Sequence, residues 1–108
     1  MANAYEVLGQ TTDTATGTAL VTVPSSTEIV ISTIVICNRA SSSKTFRIYL
    51  RPDDETLANK HYLAYDTTVN ANDTITMTLG ITMNASDKLY VYGSDANISF
   101  SAFGTKIT

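Results

Sequence analysis

Apolar and polar side chains alternate with a period of two, and this constrains the chain more than any other feature. "TITMTL" (Thr74–Leu79) places Ile75, Met77 and Leu79 on one side and threonines on the other. "KLYVYG" (Lys88–Gly93) sets Leu89 and Val91 against Tyr90 and Tyr92. "TFRIYLR" (Thr45–Arg51) sets Phe46, Ile48 and Leu50 against Arg47, Tyr49 and Arg51. Successive side chains of a strand point to opposite faces, so each stretch reads as a strand with one buried face. Helical spacing is found nowhere.

Further strands are expected at "YEVLGQ", "ALVTV" (Ala19, Val21 and Val23 inward), "IVISTIVIC", "HYLAYDTTV" and "ISFSAFG". The run Ile29–Cys37 is apolar on both faces, as in a central strand covered on both sides. "NRASSSK", "NAND", "NASD" and "GSDAN" carry turn chemistry. "RPDDETLANKH" is the longest connection, with one helical turn expected near Asp54–Ala58. Short strands separated by such turns predict an all-β fold, a two-sheet antiparallel β-sandwich (jelly-roll or Ig-like) of about eight strands. With 108 residues there is room for one domain. Residues 1–17 are read as an N-terminal strand or arm and residues 18–108 as the sandwich. "YEVLGQ" is expected to be a first strand of the same sheet, and "TTDTATGT" a pliable connector. The predicted core is Val21, Val23, Ile34, Ile36, Phe46, Ile48, Leu50, Ile75, Met77, Leu79, Leu89, Val91, Ile98 and Phe100. "IVISTIVICNRASSSKTFRIYLR" is expected to form a hairpin at its centre.

Composition narrows the function. A net charge of −3 argues against nucleic acid, which calls for a basic face. No apolar run approaches the roughly 20 residues that span a bilayer, so no membrane is implied. No signal peptide is read at the start, and the chain is expected to be made and soluble in a cytoplasm. Charged residues are only 16%, against roughly 25% in ordinary domains. Few Lys, Glu or Pro residues guard the strand edges, so another chain or the protein's own loops must cover them.

No catalytic, cofactor or metal constellation is found, and a non-enzyme is expected. His61 is the sole histidine and reads as a packing or surface residue. Cys37 is the sole cysteine and reads as a small buried hydrophobe. Asp53, Asp54 and Glu55 lack the spacing of a calcium loop and read as a solvated turn. The triplets at Asn72, Asn84 and Asn97 read as turns. Tyrosine and arginine are the residue types enriched in binding hot spots, so the candidate interface is Arg47, Tyr49, Arg51, Tyr62, Tyr65, Tyr90 and Tyr92. The other reading is ordinary cross-strand neighbours. On the interface reading, Arg47→Ala with Tyr49→Ala weakens assembly and leaves the fold intact.

The ordered blocks "YEVLGQ", "LVTVP", "STIVICNRA", "FRIYLRP", "KHYLAYD", "LGITM", "NASDKLYVYG" and "ISFSAFG" resemble small virion structural proteins of tailed bacteriophages, cyanophages among them. The resemblance covers nearly the whole chain and implies a β-sandwich that binds other virion subunits, with no catalytic motif. It implies a capsid decoration (cement) protein, a homo-oligomer such as a trimer docked on the major capsid protein and located in the virion. A neck, tail, baseplate or fibre-attachment component is the alternative. From another class, a carbohydrate-binding module would use the tyrosines as a sugar platform, although the chain has no Trp.

Overall fold

A computed structural model of the chain describes residues 2–12 and 17–108. Nine strands follow one another: β1 (Asn3–Thr12), β2 (Thr18–Thr22), β3 (Glu28–Asn38), β4 (Lys44–Arg51), β5 (Tyr62–Val69), β6 (Thr74–Met77), β7 (Ile81–Met83), β8 (Lys88–Gly93) and β9 (Ile98–Ile107). One antiparallel sheet has the order β1-β9-β3-β6, with β7 also on β3; the other has the order β2-β8-β4-β5. β6 pairs with Ile34–Cys37 and β7 with Ile29–Ile31, so the two lie end to end along β3 as one interrupted strand. Counted that way, eight strands fall in the orders 1-8-3-6 and 2-7-4-5. That interleaving is a jelly roll, two Greek keys rolled together.

The expected sandwich is therefore present, and of the two forms considered the topology is the jelly roll. Alternation explains the core. Phe46 and Ile48 of β4, Leu89 and Val91 of β8, Ile34 and Ile36 of β3, and Ile98 and Phe100 of β9 are all fully buried. Phe46 meets Phe100 across the two sheets edge-to-face, with centroids 6.4 Å apart. Such a pair adds about 1 kcal/mol beyond its area.

Five expectations are corrected. β3 and β4 form no hairpin, because both edges of β3 are occupied in one sheet and both edges of β4 in the other. The connection crosses the sandwich, pinned by the buried Asn38. Its Nδ2 donates to the carbonyls of Ser42, Val69 and Asn70, and its Oδ1 accepts from Ala40 N–H. Leu79 is not core: β6 stops at Met77, and Leu79 lies in the break before β7, 47% exposed. Gly80 takes a positive φ of 64° in that break, and "ITM" becomes the extra strand. Leu50, Ile75 and Met77 only flank the core. In β2 a register shift between Ala19 and Val21 turns Leu20 inward and leaves Ala19 exposed. Between Arg51 and Tyr62 there are 3-10 turns at Pro52–Asp54 and Asn59–His61 rather than a helical turn over 54–58.

The outer face of β3 is only half-covered. Val30, Val35 and Cys37 lie half-buried among Thr and Ser side chains of β6, β7 and β9, so Cys37 is less enclosed than expected. β1 is the outermost strand of its sheet, paired with β9. The connector "TTDTATGT" lies largely outside the described residues. No helix among the described residues is long and apolar enough to cross a membrane.

Candidate functional site

β8, β4 and β5 are adjacent in one sheet, and their outward side chains bring all seven candidate residues together. Arg47 and Tyr92 are direct partners, as are Tyr49 and Tyr90; on the other side Tyr49 faces Tyr62. The sequence placed Arg47, Tyr49 and Arg51 on one face of one strand and Tyr90 and Tyr92 on one face of another, and the pairing brought the two sets together with Tyr62 and Tyr65.

The rings form a continuous ladder. Tyr49 stacks on Tyr90 at 5.2 Å with 6° between planes, and meets Tyr62 edge-on at 5.4 Å. Tyr62 meets Tyr65 edge-on at 4.8 Å. Arginines cap the ladder: Arg51 lies 4.7 Å from the Tyr90 ring centre, and Arg47 lies 4.2 Å from that of Tyr65 and 5.2 Å from that of Tyr92. Cations over aromatic faces are held by the ring quadrupole.

A bulge completes the arrangement. Thr67 pairs with Phe46 and Ala64 with Ile48, so Tyr65 and Asp66 together oppose Arg47. Asp66 adopts φ 49°, which Asp tolerates better than most residues. The turn brings its carboxylate onto Arg47, whose Nε donates to Oδ1 at 2.6 Å and whose Nη2 donates to Oδ2 at 3.2 Å. This hydrogen bond, above all, holds the Asp66 carboxyl below its usual range and raises the already high guanidinium value. Arg51 and Lys88 share Asp54. Burial, then the neighbouring Tyr62 and Tyr90, push the Tyr49 hydroxyl up.

Tyr49 points outward as expected, yet it is only 7% exposed, covered by the rings of Tyr62 and Tyr90 and, at its hydroxyl, by Gly17. Removing it opens the ladder, so the expectation that Arg47→Ala with Tyr49→Ala spares the fold is revised. Tyr65 is the most open of the rings in this face. Sequence reasoning missed Asp66, Asp54 and Lys88; a polar residue beside a tyrosine in an edge strand was the one available sign of a bulge.

His61 is buried in the loop before β5. Its Nδ1 accepts from Ala58 N–H at 3.0 Å, which leaves Nε2 to donate to Glu55 Oε1 at 3.1 Å. The ring is thus a loop clamp. Asp53, Asp54 and Glu55 do not converge: Asp54 faces Arg51 and Lys88, while Glu55 faces His61 and Lys60. No group of three metal-ligating side chains occurs among the described residues.

Fold and surface define the class as a single jelly-roll domain whose outer sheet face is an ion-paired tyrosine ladder. Among solved structures it is similar to a chain in "Structure of infectious bursal disease virus Gx strain", with a TM-score of 0.53 and 16% identity. The likeness covers 97% of this chain and 31% of the other, so this chain spans under a third of its length. At that identity the likeness concerns the fold alone. No protein-family profile matches the sequence, and neither does any curated protein.

Proposed function

We propose that the chain is a non-enzymatic structural subunit of a virus particle that acts by binding copies of itself and other virion subunits. The observation that carries this reading is the jelly-roll likeness to a chain of a virus structure over 97% of the present chain. The finer assignment is a decoration protein seated on the capsid lattice of a tailed phage, where many copies would add avidity to individually modest contacts. A domain of 108 residues with few charges suits that role. A neck, tail or baseplate position remains the alternative within the class.

A non-enzymatic role is supported by the histidine, whose two ring nitrogens are both engaged in loop closure. A sugar platform would have to rest on Tyr65, 57% exposed, since Tyr49 and Tyr90 stack on each other and Arg51 lies over Tyr90.

The test is quantitative mass spectrometry of particles produced from the genome that encodes this chain, followed by cryo-EM. The expected result is a fixed copy number per particle, with density on the capsid surface. A chain found only in the soluble lysate would overturn the reading.

A further inference from the structure

The four outer strands of the two sheets differ in how they are protected. β5 carries two register shifts, β2 is short and shifted with Pro24 close behind, and β6 and β7 are broken at Gly80. Bulges, prolines and short lengths are the usual ways to stop edges from pairing. β1 runs ten residues and has its own register shift, between Val7 and Gly9, but ahead of that shift Asn3–Val7 pairs with β9 without interruption. It carries no Pro and no Lys, and Ala2–Val7 is exposed throughout, with Tyr5 at 88%.

The hydrogen-bond phase of that edge is fixed. Ala2 N–H donates to the Thr108 carbonyl at 2.8 Å, and Thr108 N–H donates to the Ala2 carbonyl at 2.9 Å. Antiparallel pairs alternate between those that exchange both bonds and those that exchange none. Ala4 and Glu6 therefore bond to β9, while the N–H and C=O of Asn3, Tyr5 and Val7 point to the open side.

We propose that β1 pairs antiparallel with β1 of a second copy of this chain about a two-fold axis at Tyr5, joining two sheets into one. This deepens the self-association in the reading above and rests on it. In this register Tyr5 faces Tyr5 of the partner subunit, and Asn3 faces Val7 of the partner subunit. All three edge residues then form pairs that exchange two hydrogen bonds each, with an edge identical on both sides, as an isologous contact requires.

The side chains agree with the register. Tyr5 and Val7 lie with Phe103 around a shallow depression on the outer face, and the two tyrosines would meet over it. Glu6 falls opposite Ala4 of the partner subunit, and Ala4 is itself paired with Lys106 within each chain. Glu6 and the partner's Lys106 thus stand two strand spacings apart, roughly 10 Å, with only a small alanine between them. Neither has an ion pair within its own described chain. Moving the axis to Glu6 would set two carboxylates opposite each other, and moving it to Ala4 would leave Val7 without its partner among Asn3, Tyr5 and Val7. The contact is two-fold and so differs in symmetry from the threefold arrangement that the phage resemblance implies.

The test is mass photometry and sedimentation of the full chain. The wild type should dimerise. Tyr5→Pro removes the outward N–H and the phenol ring but none of the bonds to β9, which an edge strand tolerates, so it should weaken the dimer at least about thirtyfold with unchanged far-UV circular dichroism. Glu6→Lys should also weaken it, and Glu6→Lys with Lys106→Glu should restore it. In a Cys37→Ser background, Tyr5→Cys should form a disulfide-linked dimer on mild oxidation and Glu6→Cys should not. A monomeric wild type, a dimer indifferent to Tyr5→Pro, or cross-linking through Glu6→Cys instead of Tyr5→Cys would each overturn the proposal. A monomer that is still incorporated into particles overturns the edge pairing and leaves the virion reading standing. A dimer absent from particles overturns only the virion reading.

Discussion

Arg47 is bound to Asp66 by two hydrogen bonds, at 2.6 and 3.2 Å, because the bulge in β5 turns the aspartate back over β4. The bond and the bulge depend on each other. The bulge supplies the carboxylate, and the guanidinium rewards a backbone conformation that most residues avoid.

Substitutions at position 66 separate these two parts. Asp66→Gly keeps the positive φ and loses the ion pair, whereas Asp66→Val loses both, since a β-branched residue is strained there. Thermal unfolding should rank the wild type above Asp66→Gly and Asp66→Gly above Asp66→Val. Equal midpoints for the two variants would mean that the bulge carries no backbone strain.

Asn38 closes the end of the sandwich through four hydrogen bonds to main chain. Asn38→Ala leaves buried carbonyls unpaired and should cost about 2–4 kcal/mol. Asn38→Asp, which faces three carbonyls with a carboxylate, should cost at least as much. Chemical denaturation of both variants measures this.

Tyr49→Ala removes the middle ring of the ladder and should cost about 3 kcal/mol. Tyr49→Phe should change the pH response instead. The folded state raises the Tyr49 value, so its contribution is complete below the unfolded value, about pH 10, and is lost as pH rises through the folded value. Part of the alkaline loss of stability should disappear in Tyr49→Phe, as read by melting points between neutral and strongly alkaline pH.

The acid limb has the opposite sign. Asp66 is held low by the Arg47 hydrogen bond. Asp95 is held low by Asn97 N–H and then by Lys44. Their contributions are present above the ordinary carboxylate value, about pH 4, and vanish as pH falls through the lowered folded values. Asp66→Asn with Asp95→Asn should flatten the melting-point profile below that pH.

Gly9 sits where β1 crosses β2, and a Cβ there would run into the Leu20 carbonyl. Gly9→Ala should cost about 1–3 kcal/mol, and denaturant titration would detect it.

The strands and most of the core were legible because alternation is a local property. Phe46, Ile48, Leu89, Val91, Ile98 and Phe100 lie where their spacing places them. Alternation also put Arg47, Tyr49 and Arg51 on one face, but it cannot say which strand lies alongside. For that reason the neighbours Tyr90, Tyr92, Tyr62 and Tyr65 became a ladder only once β8 and β5 were placed on either side of β4. Leu79 misled because it continues the period after Met77, where the chain has already turned away.

By itself, then, the sequence determined the elements, their inward faces and the turns between them, since these follow from side-chain chemistry over a few residues. Only the tertiary structure decided that β3 and β4 part into different sheets, that Tyr49 is covered, and that Asn3–Val7 of β1 is left as an uninterrupted open edge. Those outcomes depend on which strands compete for the two edges of each neighbour, and on long-range bonds such as those of Asn38 to Val69 and Asn70, which no local pattern encodes.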